Sequence, residues 1–215
     1  MKITTLPGQI AESLLSIVGI RIGTEEPHYI SAPLTDHVEL RKYGPRIAAE
    51  TTVAADEARA RNIGFRRLAN YIFGGNHRDQ EISMTAAVAQ QSGGDDIAMT
   101  APVGQSRTSD NGWTIRFFMP SKWTMDTLPA PDDDNVALVT VPGETVAVLR
   151  FSGDRSSHAV TAKTEELANI LRDKEIESTG EPVAWFYDPP WTLPFRRRNE
   201  IAIPVAAYAA GTGAD

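Results

Sequence analysis

With no cysteine among its 215 residues, the chemistry open to this chain rests on histidine, arginine, carboxylate, methionine and aromatic side chains. Disulfides, thiolate metal sites, iron–sulfur clusters and thiol nucleophiles are excluded. The four histidines, His28, His37, His77 and His158, are scattered, and no two stand at i, i+4, so a protein zinc site is not expected. Arg66 and Arg67 adjoin an apolar helical stripe and suit a partner that carries carboxylates. Arg196–Arg197–Arg198 is a compact cationic run in an acidic chain, suited either to the carboxylates of a ligand or to anchoring Glu200 and other carboxylates in surface pairs. Glu50, Glu81 and Glu200 are the acid–base candidates, each dependent on burial near a ligand. Met84 and Met99 carry thioethers, but on the apolar side of alternating segments, where methionine fills a core. Asp132–Asp133–Asp134 reads as a solvated loop without calcium-ligand spacing. Gly-x-Ser-x-Gly, P-loop, Gly-x-Gly-x-x-Gly and His-Glu-x-x-His motifs are all missing, so catalysis has little direct support.

The elements that must position these groups come from a repeat. Residues 38–49 line up with 136–147 at a displacement of 98, and 68–72 with 167–171 at 99. Each half reads as strand, turn, strand, helix and further strand, with Gly44–Pro45 and Pro142–Gly143 making the turns. Phe65, Leu68, Ala69 and Ile72 give the first helix its apolar stripe, and Gly74–Gly75 stop it. Val160, Leu167, Ile170 and Leu171 make the matching stripe, with Ser156 or Ser157 as cap and Gly180 beyond the end. A shorter duplication, 82–88 and 97–103, alternates and predicts a hairpin across Ser92–Gly–Gly–Asp–Asp96. Trp113, Ile115, Phe117 and Met119 alternate, as do Ile201, Ile203 and Val205. Tyr187, Pro189, Pro190 and Trp191 form a stiff aromatic loop leaving a strand.

Composition bounds the class. Hydrophobic residues at 41% and charged residues at 23% are ordinary for a globular domain. A net charge of -7 argues against a general nucleic-acid binder. Residues 1–27 are expected to form an amphipathic helical segment that docks on the domain, with weak membrane-surface contact as the alternative; neither a spanning helix nor a signal peptide is predicted. The domain is expected over 28–206, its halves over about 36–103 and 113–205, with a disordered tail over 207–215. A cytoplasmic location is expected.

The run Val38-Glu-Leu-Arg-Lys-Tyr-Gly-Pro45, the segment Leu68-Ala-Asn-Tyr-Ile-Phe-Gly-Gly-Asn76 and the Ile97-x-Met-Thr-Ala-Pro-Val103 motif resemble the SOUL haem-binding family. So do Phe151-Ser-Gly153 and Tyr187-Asp-Pro-Pro-Trp-Thr-Leu-Pro-Phe-Arg-Arg-Arg-Asn-Glu200, and the resemblance runs from about Tyr29 to Val205. It implies an α+β fold: a distorted β-barrel of two pseudo-symmetric β-β-α-β-β halves flanked by two long helices, an architecture similar to GyrI-like receptors. It further implies haem or free porphyrin as ligand, for transport, buffering or sensing, in an apolar groove beside the first long helix. The residues expected there are Phe65, Arg66, Arg67, Leu68, Tyr71 and Ile72, with His77 as iron ligand and Tyr187 and Trp191 as a lid. Some members carry histidine directly before Tyr-Gly-Pro; here that residue is Lys42. The alternatives are a GyrI-like effector-binding domain for other flat ligands, or an enzyme acting on a porphyrin or other hydrophobic substrate.

Overall fold

The strands alternate as their sequences dictate, and their pairing interleaves the two halves of the repeat. A computed structural model describes residues 25–78, 95, 97–98, 100–108, 112–188 and 192–206. In chain order the elements are β1 (Tyr29–Pro33), β2 (Val38–Tyr43), β3 (Arg46–Val53), α1 (Glu57–Ile72), β4 (Asn76–His77), β5 (Val103–Arg107) and β6 (Trp113–Phe118). Then come β7 (Ala130–Pro131), β8 (Ala137–Val141), β9 (Glu144–Phe151), α2 (Ser157–Asp173), β10 (Val183–Phe186) and β11 (Asn199–Pro204). The 1–24 and 207–215 segments, the 82–88 arm of the expected hairpin, Met99 and Trp191 lie outside the described residues.

Two compact units result. The α1 unit holds Glu25–Pro27 with Pro45–Pro142, and the α2 unit holds His28–Gly44 with the chain from Gly143 onwards. The chain therefore passes from one unit to the other at Gly44–Pro45 and again at Pro142–Gly143, the two turns of the repeat. In the α1 unit the antiparallel order is β8-β3-β6-β5. In the α2 unit it is β2-β9-β11-β10, with β1 added outside β2. Of the two repeated strand–turn–strand pairs, each is therefore split: β8 joins the α1 unit and β2 the α2 unit. The duplication extends to register. Moving Tyr43 forward by 98 residues and its partner Glu144 back by 98 gives Val141 and Arg46, which are themselves paired. The α+β class and the pseudo-symmetric construction follow as expected.

Period-two alternation gives the α2-unit sheet two buried faces. Val38, Leu40, Ala147, Leu149, Ala184, Phe186, Ile201 and Ile203 form one core with Leu167 and Leu171 of α2. Residues between them, Arg41, Tyr43, Val146, Val148, Trp185 and Glu200, are buried as well. Ser156 caps α2 by accepting from the Ala159 N–H. Past Asp173 the helix closes with Glu175 at φ 56°. The N–H of Glu175 reaches the Arg172 carbonyl and that of Ile176 the Leu171 carbonyl, while Ile176 packs in the Leu171 core. That is the Schellman arrangement, here without its usual glycine.

In the α1 unit, Asp56 caps α1 by accepting from the Arg59 N–H at 3.0 Å, and Gly74, at φ 97°, follows its end. The helix buries Ala60, Gly64, Leu68, Tyr71 and Ile72 against Ala49, Val53, Ile115 and Phe117. This corrects the expected stripe: Phe65 and Ala69 turn away from its centre, and Tyr71 and Gly64 take their place. The reason is close approach. A Cβ on Gly64 would lie 2.7 Å from Cγ1 of Ile115, so the helix lies on β6 along its glycine side. Ile97 and Ala101 are buried, as their alternation predicts, and among the described residues of the 97–103 segment strand structure begins at Val103. Thr100 is buried and donates its hydroxyl to the Phe118 carbonyl. The Pro102 ring, which offers no N–H to a ladder, stands directly before that start.

Candidate functional site

At about 100° of rotation per residue, the outer face of α1 presents Phe65, Ala58, Ala69 and Asn62 in neighbouring positions, and then Arg66 and Arg59. Phe65 is 38% exposed and Phe73, just past the helix, 63%. The Phe65 ring meets Phe117 edge-on with centroids 5.4 Å apart, so it is a held surface and not a loose one. The helix carries four arginines, Arg59, Arg61, Arg66 and Arg67, against one carboxylate, Glu57. Two are committed: Arg61 pairs with Glu57 at 2.9 Å and donates to Gln105 at 2.8 Å. Arg67 donates to Thr51 Oγ1 at 3.2 Å and lies 3.9 Å from Asp133. The guanidinium groups of Arg59 and Arg66 are exposed and make no ion pair among the described residues. An aromatic strip bordered by two uncommitted cations can take a flat apolar body and its acidic substituents.

Leu68, Tyr71 and Ile72 are each almost wholly buried, Ile72 at the edge of the buried face next to Phe65. Tyr71 donates to the Pro129 carbonyl at 2.9 Å, and burial pushes its phenol up to about 12. These three fix the helix against its sheet. His77, in β4, places Nδ1 2.5 Å from Asp132 Oδ1, with both side chains about half exposed. A carboxylate on one ring nitrogen is the usual way of orienting an imidazole whose other nitrogen binds a metal. Among the described residues no cluster of three or more His, Asp or Glu side chains is arranged to hold a metal ion by itself.

Tyr187 belongs to a different constellation, within the α2 unit. Arg41 of β2 grips Glu200 of β11 through two bonds, Nη1–Oε2 at 2.7 Å and Nη2–Oε1 at 2.9 Å. Arg198 Nε donates to Oε1 at 2.8 Å and the Tyr187 hydroxyl to Oε2 at 2.6 Å. Arg41 Nε also reaches Glu39 at 2.7 Å. The guanidinium planes cover rings, Arg41 over Tyr29 at 4.5 Å and Arg198 over Tyr187 at 3.8 Å. Burial would raise the Glu200 carboxyl, but the hydrogen bonds and charge of Arg41, then Arg198 and Tyr187, outweigh it and hold the group below the usual carboxylate range. Burial and the adjacent Glu200 charge push the Tyr187 phenol far above its ordinary value. A carboxylate so held accepts four hydrogen bonds and is a poor base; Glu50 accepts from Arg116 at 2.5 and 3.0 Å. The expected anchoring of Glu200 by the arginine run is met by Arg198, whereas Arg41 was not foreseen. The position matching Arg41 in the α1 unit, 98 residues on, is Val139, so this network is not part of the duplicated frame.

A family model described as SOUL heme-binding protein matches residues 24–204. The chain belongs to the SOUL family. Among relatives of this SOUL protein, Heme-binding protein 2 of Mus musculus is 31% identical over 173 residues, covering 79% of this chain and 78% of the relative. Heme-binding protein 2 of Homo sapiens is 30% identical over 144 residues, covering 66% and 65%. The crystal structure of the EcmrR C-terminal domain superposes with a TM-score of 0.54 at 12% identity, over 83% of this chain and 98% of that one. A hydrolase from Listeria innocua does so with a TM-score of 0.50 at 14% identity, over 81% and 94%. These two likenesses show the fold, the GyrI-like one expected for a SOUL protein, and nothing further. No helix among the described residues is long and apolar enough to cross a membrane.

Proposed function

We propose that this SOUL-family chain binds haem or a free porphyrin on the outer face of α1, in a transport, buffering or sensing role. The observation that carries the reading is that, along one helix and its C-cap in a member of this family, exposed Phe65 and Phe73 stand with Arg59 and Arg66, which make no ion pair among the described residues. A tetrapyrrole has a flat apolar ring and two propionates, and these groups match both parts. In this reading Phe65 and Phe73 stack against the macrocycle. Arg66, with Arg59, meets the propionates, and Arg67 keeps its ties to Thr51 and Asp133 while lending its charge. Leu68, Tyr71 and Ile72 hold the platform from behind. His77, oriented by Asp132, would hold the iron of a bound haem through its other ring nitrogen. When bound, haem itself would supply the redox and gas-binding chemistry.

Titration of the purified protein with haemin, followed by absorbance, tests this. Saturable one-site binding with Kd at or below about 1 μM, roughly −8 kcal/mol, is the expected result. Phe65→Ala with Arg66→Ala should weaken it at least tenfold. His77→Ala should move the Soret band without abolishing porphyrin binding. Non-saturating haemin uptake, or unchanged affinity in the double variant, would overturn the reading.

A further inference from the structure

The α2 unit contains a cleft of about 690 Å³, remote in purpose from the α1 face. Its walls are the turn between β1 and β2 and the 3-10 turn Pro194–Arg196, and Val148 and Phe151 of β9 line it as well. A volume of this size lies within the range of small-molecule sites.

Three arginines line the cleft: Arg150, Arg196 and Arg197. Arg197 is fixed in place, its Nε donating to the Thr192 carbonyl at 2.8 Å. Arg150 and Arg196 are exposed, and their guanidinium groups make no ion pair among the described residues. The lining also holds two carboxylates and one imidazole. Glu39 is already spent on Arg41, which leaves Asp36 and His37 at the turn. Cationic charge therefore exceeds anionic charge in one concave place on a chain whose net charge is -7. Phe195, 69% exposed, adds an aromatic wall, and Phe151 a half-buried one. The duplicated frame does not require any of this. The position matching Arg150, 98 residues back, is Thr52, whose hydroxyl merely pairs with that of Thr114 at 3.2 Å.

We propose that this cleft binds a small amphipathic anion. Its carboxylate or phosphate head pairs with Arg150 and Arg196, and its apolar body lies between Phe195 and Phe151. The site lies wholly within the α2 unit and shares no residue with the α1 face proposed for haem.

The test uses the full chain and anilinonaphthalene sulfonate, an aromatic anion whose fluorescence rises on binding, with laurate as competitor. The expected result is a saturable class of sites displaced by laurate. Arg150→Gln with Arg196→Gln should weaken it at least tenfold, and Phe195→Ala several-fold, with unchanged thermal midpoints because all three residues are exposed. Phe65→Ala with Arg66→Gln should leave it intact, which separates this proposal from the haem reading. Unchanged dye affinity in the double arginine variant overturns the proposal. So does an equal loss in the Phe65/Arg66 variant, which would assign the dye to α1. Sedimentation with phosphatidylglycerol vesicles that depends on Arg150 and Arg196, without any competition by soluble laurate, would also overturn it in favour of a lipid surface.

Discussion

Arg41 and Glu200 stand 159 residues apart in the chain and meet as a bidentate pair, with 2% and 0% of their side chains exposed. They tie the second strand of the fold to its last through β9, which lies between them in the sheet. A buried pair of this kind is costly to break from one side, because the remaining charge stays in a poorly solvating interior.

Glu200→Gln should accordingly destabilise the protein by about 3–5 kcal/mol, since Arg41 and Arg198 lose their counter-charge together. Replacing both members, Arg41→Met with Glu200→Leu, should cost less than the single change. Urea unfolding of the two variants beside the parent measures this, and a double variant worse than Glu200→Gln would refute the electrostatic account.

Acid sensitivity follows from the same carboxylate. Its folded pKa is depressed below the ordinary 4.5, so its contribution is complete above that value and is lost as pH falls through the lower, folded one. Stability should drop as pH falls below about 4.5, the ordinary carboxylate value, and Glu200→Gln should flatten that part of the profile. Unfolding free energy measured at stepped pH in both proteins decides the matter; parallel profiles would rule Glu200 out as the source.

Gly64→Ala should cost about 1–3 kcal/mol by overpacking, because the new methyl would sit 2.7–2.9 Å from three carbons of Ile115. Adding Ile115→Ala should recover part of the loss, giving a non-additive double-mutant cycle. Strict additivity would show that the contact is not the cause.

Glu175→Gly should stabilise the protein by about 1 kcal/mol, since a side chain at φ 56° bears a steric penalty that glycine lacks. The thermal midpoint is the readout, and a decrease would mean that the Glu175 side chain contributes more than its backbone strain costs.

Local physics made much of this fold legible in advance. The alternation of Ile201 and Ile203, the Ser156 cap and the 98-residue displacement are all short-range patterns, and each appears in the structure as a strand, a helix start and a shared register. The α1 stripe was less legible, since Phe65 and Ala69 are apolar but lie at the margin of the buried face. Only the close approach at Gly64, a tertiary contact, sets the helix rotation. Among the proposed site residues, Arg66 and His77 were identifiable as polar groups on or just past that helix. The cleft at Arg150 and Arg196 was not, because it brings together a turn, a strand end and a loop that are distant in the chain.

By itself, then, the sequence determined the two repeated strand–turn–strand–helix units, the family, and a chemistry restricted to arginine, carboxylate, imidazole and aromatic groups. Tertiary structure alone decided that β2 pairs with β9 and β3 with β8, exchanging strands between the halves. It also decided which arginines are neutralised, as Arg41 and Arg198 are, and which, like Arg66, Arg150 and Arg196, make no ion pair among the described residues. The division has one physical reason. Backbone periodicity and capping act over a few residues, whereas strand partners and the burial or pairing of a charge depend on groups that meet only after the chain has folded.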